Sequence, residues 1–221
     1  DQSGSMSEGS ETGGPSKWEQ ARTAMRAVMT SPAAADIEWG MGVFPTDGNC
    51  GLDGTVIAPV PTASSASVDA YFGGNSPNGN TPLAFALERF TTETEAGLYD
   101  TAYHNALLVV SDGIDTCYDD CATRCLGSPT PFVCMFECAA SSDALVTESL
   151  VNSTLTLRDT RQVRTFVIGF GDGASDTQLT AIAVNGGTVL GRWIAAGNID
   201  DLTAALETIV GEMWECNPIM I

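Results

Sequence analysis

The 221-residue chain carries 28 Asp and Glu against 9 Lys and Arg, a formal net charge of −19, with 43% hydrophobic residues and 7 Cys. This acidity opposes contact with nucleic-acid phosphates or an anionic membrane surface, and the length suits a single domain over 1–221. No apolar run approaches the roughly 20 residues that span a bilayer, and the opening residues lack the basic and apolar stretches of a signal peptide.

Ser16-Lys17-Trp18-Glu19 has the form of a capping box, and Trp18, Ala21, Met25 and Val28 follow at helical spacing, predicting a helix that ends near Pro32. Ile37, Trp39, Met41 and Val43 alternate with small or polar residues as a strand does. Pro45 to Gly54 reads as a loop, and Thr55 to Val60 as a short apolar piece that pairs beside the strand. Pro82 to Phe90 predicts a helix with Pro in its first turn. Ala106 to Val110 and Val163 to Phe170 are continuous apolar runs of the kind found in strands buried on both faces. Helices are expected over Ala139–Arg158, Asp176–Val184 and Ile199 to about Trp214, with a short strand at Arg192–Ala195. Alternating strands and helices predict an α/β fold: a doubly wound, mostly parallel central sheet with helices on both faces.

Such a sheet binds ligands beyond the carboxyl ends of its strands, and three segments there carry chemistry. Asp1-x-Ser3-x-Ser5 offers a carboxylate and two hydroxyls, Thr81 a hydroxyl before a helix, and Asp112-Gly113 a carboxylate where a buried strand ends. Two carboxylates and three hydroxyls, with no soft ligand, suit a hard divalent cation: Mg²⁺ first, with Mn²⁺ and Ca²⁺ as alternatives.

These three segments, in this order, resemble the von Willebrand factor type A domain with its metal-ion-dependent adhesion site. The similarity runs on through Val167-Ile168-Gly169-Phe170-Gly171 and Ala183 to Thr188 and so covers nearly the whole chain. The resemblance implies that Ser3, Ser5 and Thr81 approach the metal directly, and that Asp1 and Asp112 act largely through water. It further implies an open coordination position completed by a carboxylate from a protein or polymer partner. Such a domain is a binding device rather than an enzyme, because no nucleophile or general base stands beside the metal. Taken singly, Ser3 and Ser5 read more readily as caps of the following turn, and Asp112-Gly113 as an ordinary turn.

Family members carry a buried strand immediately before the first aspartate, whereas Asp1 opens this chain. Three sources for that strand are open: upstream residues cleaved or truncated, a permuted order, or Ile219-Met220-Ile221 of a neighbouring copy completing the sheet by strand addition. The last expectation makes the chain a structural subunit of an extracellular filament or surface assembly. It stands as the alternative to metal-dependent adhesion.

Five of the seven cysteines fall between Cys117 and Cys138, within a cysteine-rich insertion over 115–140. With one His available, they read as disulfides rather than a zinc site, and therefore as secreted or cell-surface. The four-residue spacings predict two short antiparallel helices stapled by Cys121 with Cys138 and Cys125 with Cys134, at roughly 2 to 3 kcal/mol per bridge. Cys117 then pairs with Cys50, and Cys216 is left over. Asp115, Asp119 and Asp120 read as a second cation site or, more simply, a solvated acidic loop. His104 is expected at the surface, the four tryptophans in packing, Asp172 and Asp176 in a turn and helix cap, and the sequon Asn152-Ser153-Thr154 inside a helix.

Overall fold

The computed structural model describes residues 1–9, 14–94, 97–118, 129–171 and 176–215. Helix α1 (Lys17–Met29) starts on the expected capping box: the Ser16 hydroxyl accepts from the Glu19 N–H, and the Glu19 carboxylate accepts from the Ser16 N–H. Its apolar stripe of Trp18, Ala21, Ala24 and Val28 is buried. Strand β1 (Trp39–Gly42) pairs antiparallel with β2 (Val56–Ala63), which runs three residues beyond the expected piece. Helix α2 (Ser65–Gly74) follows, opened by a reciprocal Ser64–Ser67 cap. The Arg22 guanidinium holds both oxygens of Asp69 at 2.7 and 2.9 Å, clamping α2 to α1.

Helix α3 (Leu83–Thr92) and strand β3 (Asn105–Ser111) fall where expected. Helix α4 (Pro131–Leu155) closes in a π-helical turn over Thr156–Thr160 before β4 (Val163–Phe170). Helix α5 (Asp176–Asn185), strand β5 (Ile194–Ala196) and helix α6 (Ile199–Glu215) complete the order. The order β3-β4-β5 is parallel throughout, joined by helical crossovers.

Each face of this sheet owns a core. On one, Leu87, Val109, Val146, Leu150, Val167 and Leu179 bring α3, α4 and α5 together. On the other, Trp18, Val28, Phe166, Ile168, Phe170 and Leu206 bind α1 and α6. Residues such as Leu150 and Ile168, at 0% exposure, each contribute roughly 1.5 to 3 kcal/mol by leaving water.

The expected single sheet is only partly realised. The described residues form three parallel strands and a separate antiparallel pair. Between β1 and β3 runs an apolar groove of about 250 Å³, walled by Trp18 and Met25 of α1, Trp39 and Met41 of β1, Leu108 of β3 and Ile209 of α6. At its top, the Asp1 nitrogen donates to the Val110 carbonyl of β3 at 3.1 Å, and the Gln2 N–H donates to the Phe44 carbonyl just past β1 at 2.7 Å. Two residues thus bridge the pair and the sheet as a middle strand does. As expected, β3 packs against a core on both faces, Leu107 and Val109 on one and Ala106, Leu108 and Val110 on the other, but only Val109 and Ser111 are buried and the rest stay partly exposed beside the groove.

The expected Cys50–Cys117 disulfide is present and ties the loop after β1 to the loop after β3. Cys134 and Cys138 fall within α4, a continuous helix of 25 residues rather than one arm of a short hairpin. Cys121, Cys125, Asp119, Asp120, Asp172 and Cys216 lie outside the described residues, as do the two staple pairings. His104 is exposed. Asn152 lies in α4 with Thr154 fully buried, which leaves the sequon in helical backbone, as expected.

Replacing Cys50 and Cys117 together by Ser is expected to lower the unfolding free energy by about 4 kcal/mol, from the entropy of closing a 67-residue separation. Urea denaturation under non-reducing conditions checks this. A loss below about 1 kcal/mol contradicts it.

Candidate metal centre

Ser111 and Asp112 emerge at the carboxyl end of β3, and the N-terminal loop and the 79–81 loop meet them there. Backbone bonds set the three segments. The Gly4 N–H donates to the Gly79 carbonyl at 2.9 Å, the Thr116 N–H to the Thr81 carbonyl at 3.0 Å, and the Thr81 N–H to the Thr116 hydroxyl at 2.9 Å. Gly79 holds its turn at φ 93°, a conformation that favours glycine.

The side chains continue this stitching. The Ser5 hydroxyl donates to Asp112 Oδ1 at 2.8 Å, so the 3.0 Å contact between the Ser3 and Ser5 hydroxyls has Ser3 as donor. Asp1 Oδ1 accepts from the Ser3 N–H at 2.8 Å, and Asp1 Oδ2 from the Ser111 hydroxyl at 2.7 Å. Thr81 completes the group. A Cβ built on Gly113 would stand 3.6 Å from Thr81 Oγ1 and 3.9 Å from Ser5 Oγ, so both hydroxyls flank that bare backbone. Ser3, Thr81 and Asp112 are buried. All five residues expected from the sequence, Asp1, Ser3, Ser5, Thr81 and Asp112, therefore gather at one place.

Two residues of the site were not singled out by the sequence. Ser111 orients Asp1. Lys17, the first residue of α1, sets its ammonium 2.7 Å from Asp112 Oδ2 and 3.6 Å from Glu8 Oε2. A lysine in the first turn of a helix opposes the helix dipole, and that mismatch is the signal the sequence held.

The donor chemistry fits a hard divalent cation: every group is an oxygen, and two are carboxylates. Among the described residues, no three of His, Cys, Asp and Glu come together, so a cation held here would draw its other contacts from hydroxyls. In this structure the positive charge beside Asp112 is the Lys17 ammonium.

Asp115 has neither of the roles weighed for it. It is buried at 8% exposure, and its Oδ2 accepts from the Ala84 N–H at 2.7 Å, capping α3 from a distant loop. Its Oδ1 accepts from the N–H groups of Cys117 and Tyr118 at 2.8 and 2.7 Å. Burial pushes this carboxyl upward, and the backbone donors oppose that shift. Its own N–H donates to Gln178 Oε1 of α5 at 2.9 Å.

No family model and no curated protein sequence matches the chain. The solved structure of proximal thread matrix protein 1 from the mussel byssus is similar in fold, with a TM-score of 0.56 at 12% identity. The alignment covers 88% of this chain and 42% of that one, so this chain spans less than half of that protein's length.

Asp115→Ala strips the acceptor from three N–H groups, two of them buried and one partly so, and is expected to cost about 3 kcal/mol of stability. Chemical denaturation measures it. A cost below about 0.5 kcal/mol would show that water satisfies the end of α3 instead.

Proposed function

We propose that this chain is a non-enzymatic, extracellular structural module of von Willebrand factor type A-like fold, joined to its neighbours by strand completion. The observation that carries the reading is the β1–β3 groove. Strand neighbours alternate the direction of their backbone groups, and the Val110 carbonyl already meets Asp1 on the groove side. Ala106, Leu108 and Val110 therefore turn their N–H and C=O groups toward the groove. Trp39 adds a buried indole N–H without a hydrogen-bond partner at the same place. An open edge with apolar walls suits an extended apolar strand buried on both faces.

We assign as its occupant the apolar segment Ile219-Met220-Ile221 of a neighbouring copy, a segment that lies outside the described residues. Each copy then receives one strand and donates another, and a contact of this head-to-tail kind propagates into a filament unless its rotation closes a ring. The likeness to a mussel byssus matrix protein supports a structural role. The Cys50–Cys117 disulfide supports an oxidising, extracellular setting. Among the described residues, no helix is long and apolar enough to cross a membrane.

A second reading is favoured by the gathered oxygen set. In it, Ser3, Ser5 and Thr81 hold Mg²⁺ directly, Asp1 and Asp112 balance its charge, and a carboxylate of a protein or polymer ligand completes the coordination. Mn²⁺ and Ca²⁺ suit the same donors. The two readings are compatible, because they use opposite ends of the same strand slot.

Sedimentation of the parent chain across a concentration series is expected to show growing assemblies, and Ile219→Asp with Ile221→Asp to remain monomeric. A parent monomeric at every concentration contradicts the reading. If that monomer also loses stability on the double substitution, the segment fills the groove of its own chain.

A further inference from the structure

The Asp112 carboxylate is 0% exposed, and both of its oxygens are engaged, one by the Ser5 hydroxyl and the other by the Lys17 ammonium. A buried carboxylate needs a compensating charge, and here the chain supplies its own. The arrangement is accommodated by the fold. Gly171, at the carboxyl end of β4 with φ 86°, leaves the space through which the lysine stem passes; a Cβ there would stand 2.8 Å from Lys17 Cε. The helix dipole gives Lys17 no reason to sit at the start of α1, since it disfavours a cation at that end. A second acceptor lies outward, for Glu8 Oε2 is 3.6 Å from the same ammonium on a side chain that is 69% exposed.

We infer that Lys17 is a built-in counter-ion that exchanges with a divalent cation at Asp112. Without metal, the ammonium neutralises Asp112 and keeps the three loops assembled. When a cation enters the set of Asp1, Ser3, Ser5, Thr81 and Asp112, Asp112 Oδ2 turns to it or to its water, and the ammonium swings toward Glu8. Metal binding is then a cation-for-cation exchange, and its affinity is reduced by the ion pair that must be given up. The fold does not depend on the metal, since one positive charge or the other is always present. The inference rests on the Mg²⁺ reading of the centre.

The test is calorimetric titration of Mg²⁺ into the chelator-stripped full chain and into Lys17→Met and Glu8→Gln, with melting recorded in chelator and in Mg²⁺. Lys17→Met keeps the apolar stem but removes the competitor. It is expected to bind Mg²⁺ roughly tenfold more tightly than the parent, to melt lower in chelator, and to recover in Mg²⁺. Glu8→Gln removes the acceptor that receives the displaced ammonium and is expected to bind more weakly. Binding by Lys17→Met alone, with none by the parent, supports the inference in its strongest form. Equal or weaker binding by Lys17→Met, beside a parent that binds, overturns the exchange and leaves the Mg²⁺ reading standing. Binding by neither protein overturns the Mg²⁺ reading, and a melting loss that Mg²⁺ does not restore then reduces Lys17 to an ordinary ion pair.

Discussion

Two backbone hydrogen bonds at the top of the β1–β3 groove join the parts of this molecule that matter for function. Asp1 donates to Val110 and Gln2 to Phe44, so a two-residue stretch stands between the parallel sheet and the antiparallel pair. Below it, the space continues as an apolar groove; above it, the chain turns at once into Ser3 and Ser5. The direction of the oxygen-bearing loop is therefore set by the same geometry that leaves β3 open. In the proposed reading, an extended segment laid in the groove would lie below Asp1, on the side of β3 that carries the donors above it.

In the proposed reading, this continuity lets a structural role and a binding role share one small domain. Strand addition gains from the apolar walls and from satisfying backbone groups that water otherwise serves. At the oxygen set, the Lys17 ammonium balances the buried Asp112 carboxylate within the chain. Neither needs the other's residues, yet both hang on β3, whose open edge faces the groove and whose carboxyl end presents Ser111 and Asp112. The Cys50–Cys117 bond and the Asp115 cap of α3 tie together the loops around that end.

Much of this was legible in the residues themselves. The capping box of α1, the apolar run that became β4, and the three polar segments of the centre each carry a strong local rule, whether reciprocal capping, period, or strand-end position. What escaped was set by tertiary contacts. Helix α2 is opened by Ser64 and Ser67, and its Ser- and Ala-rich start shows little apolar periodicity. Asp115 looks like one acidic loop residue among several until the fold brings the first turn of α3 beside it. Lys17 sits inside a motif that already had an explanation as a helix start, which hid its second role. The partial exposure of β3 reflects the groove beside it, since among the described residues β3 pairs with β4 alone.

The most direct measurement of the central claim is residue-resolved amide exchange along β3, followed from dilute to concentrated protein. In the dilute chain, the amides of Ala106, Leu108 and Val110, which face the groove, should exchange faster than those of Leu107 and Val109, which face β4. On concentration, the first set should slow to match the second as strands from neighbouring copies fill the groove. Alternation that persists unchanged at every concentration, or uniform protection already present in the monomer, would contradict joining by strand completion.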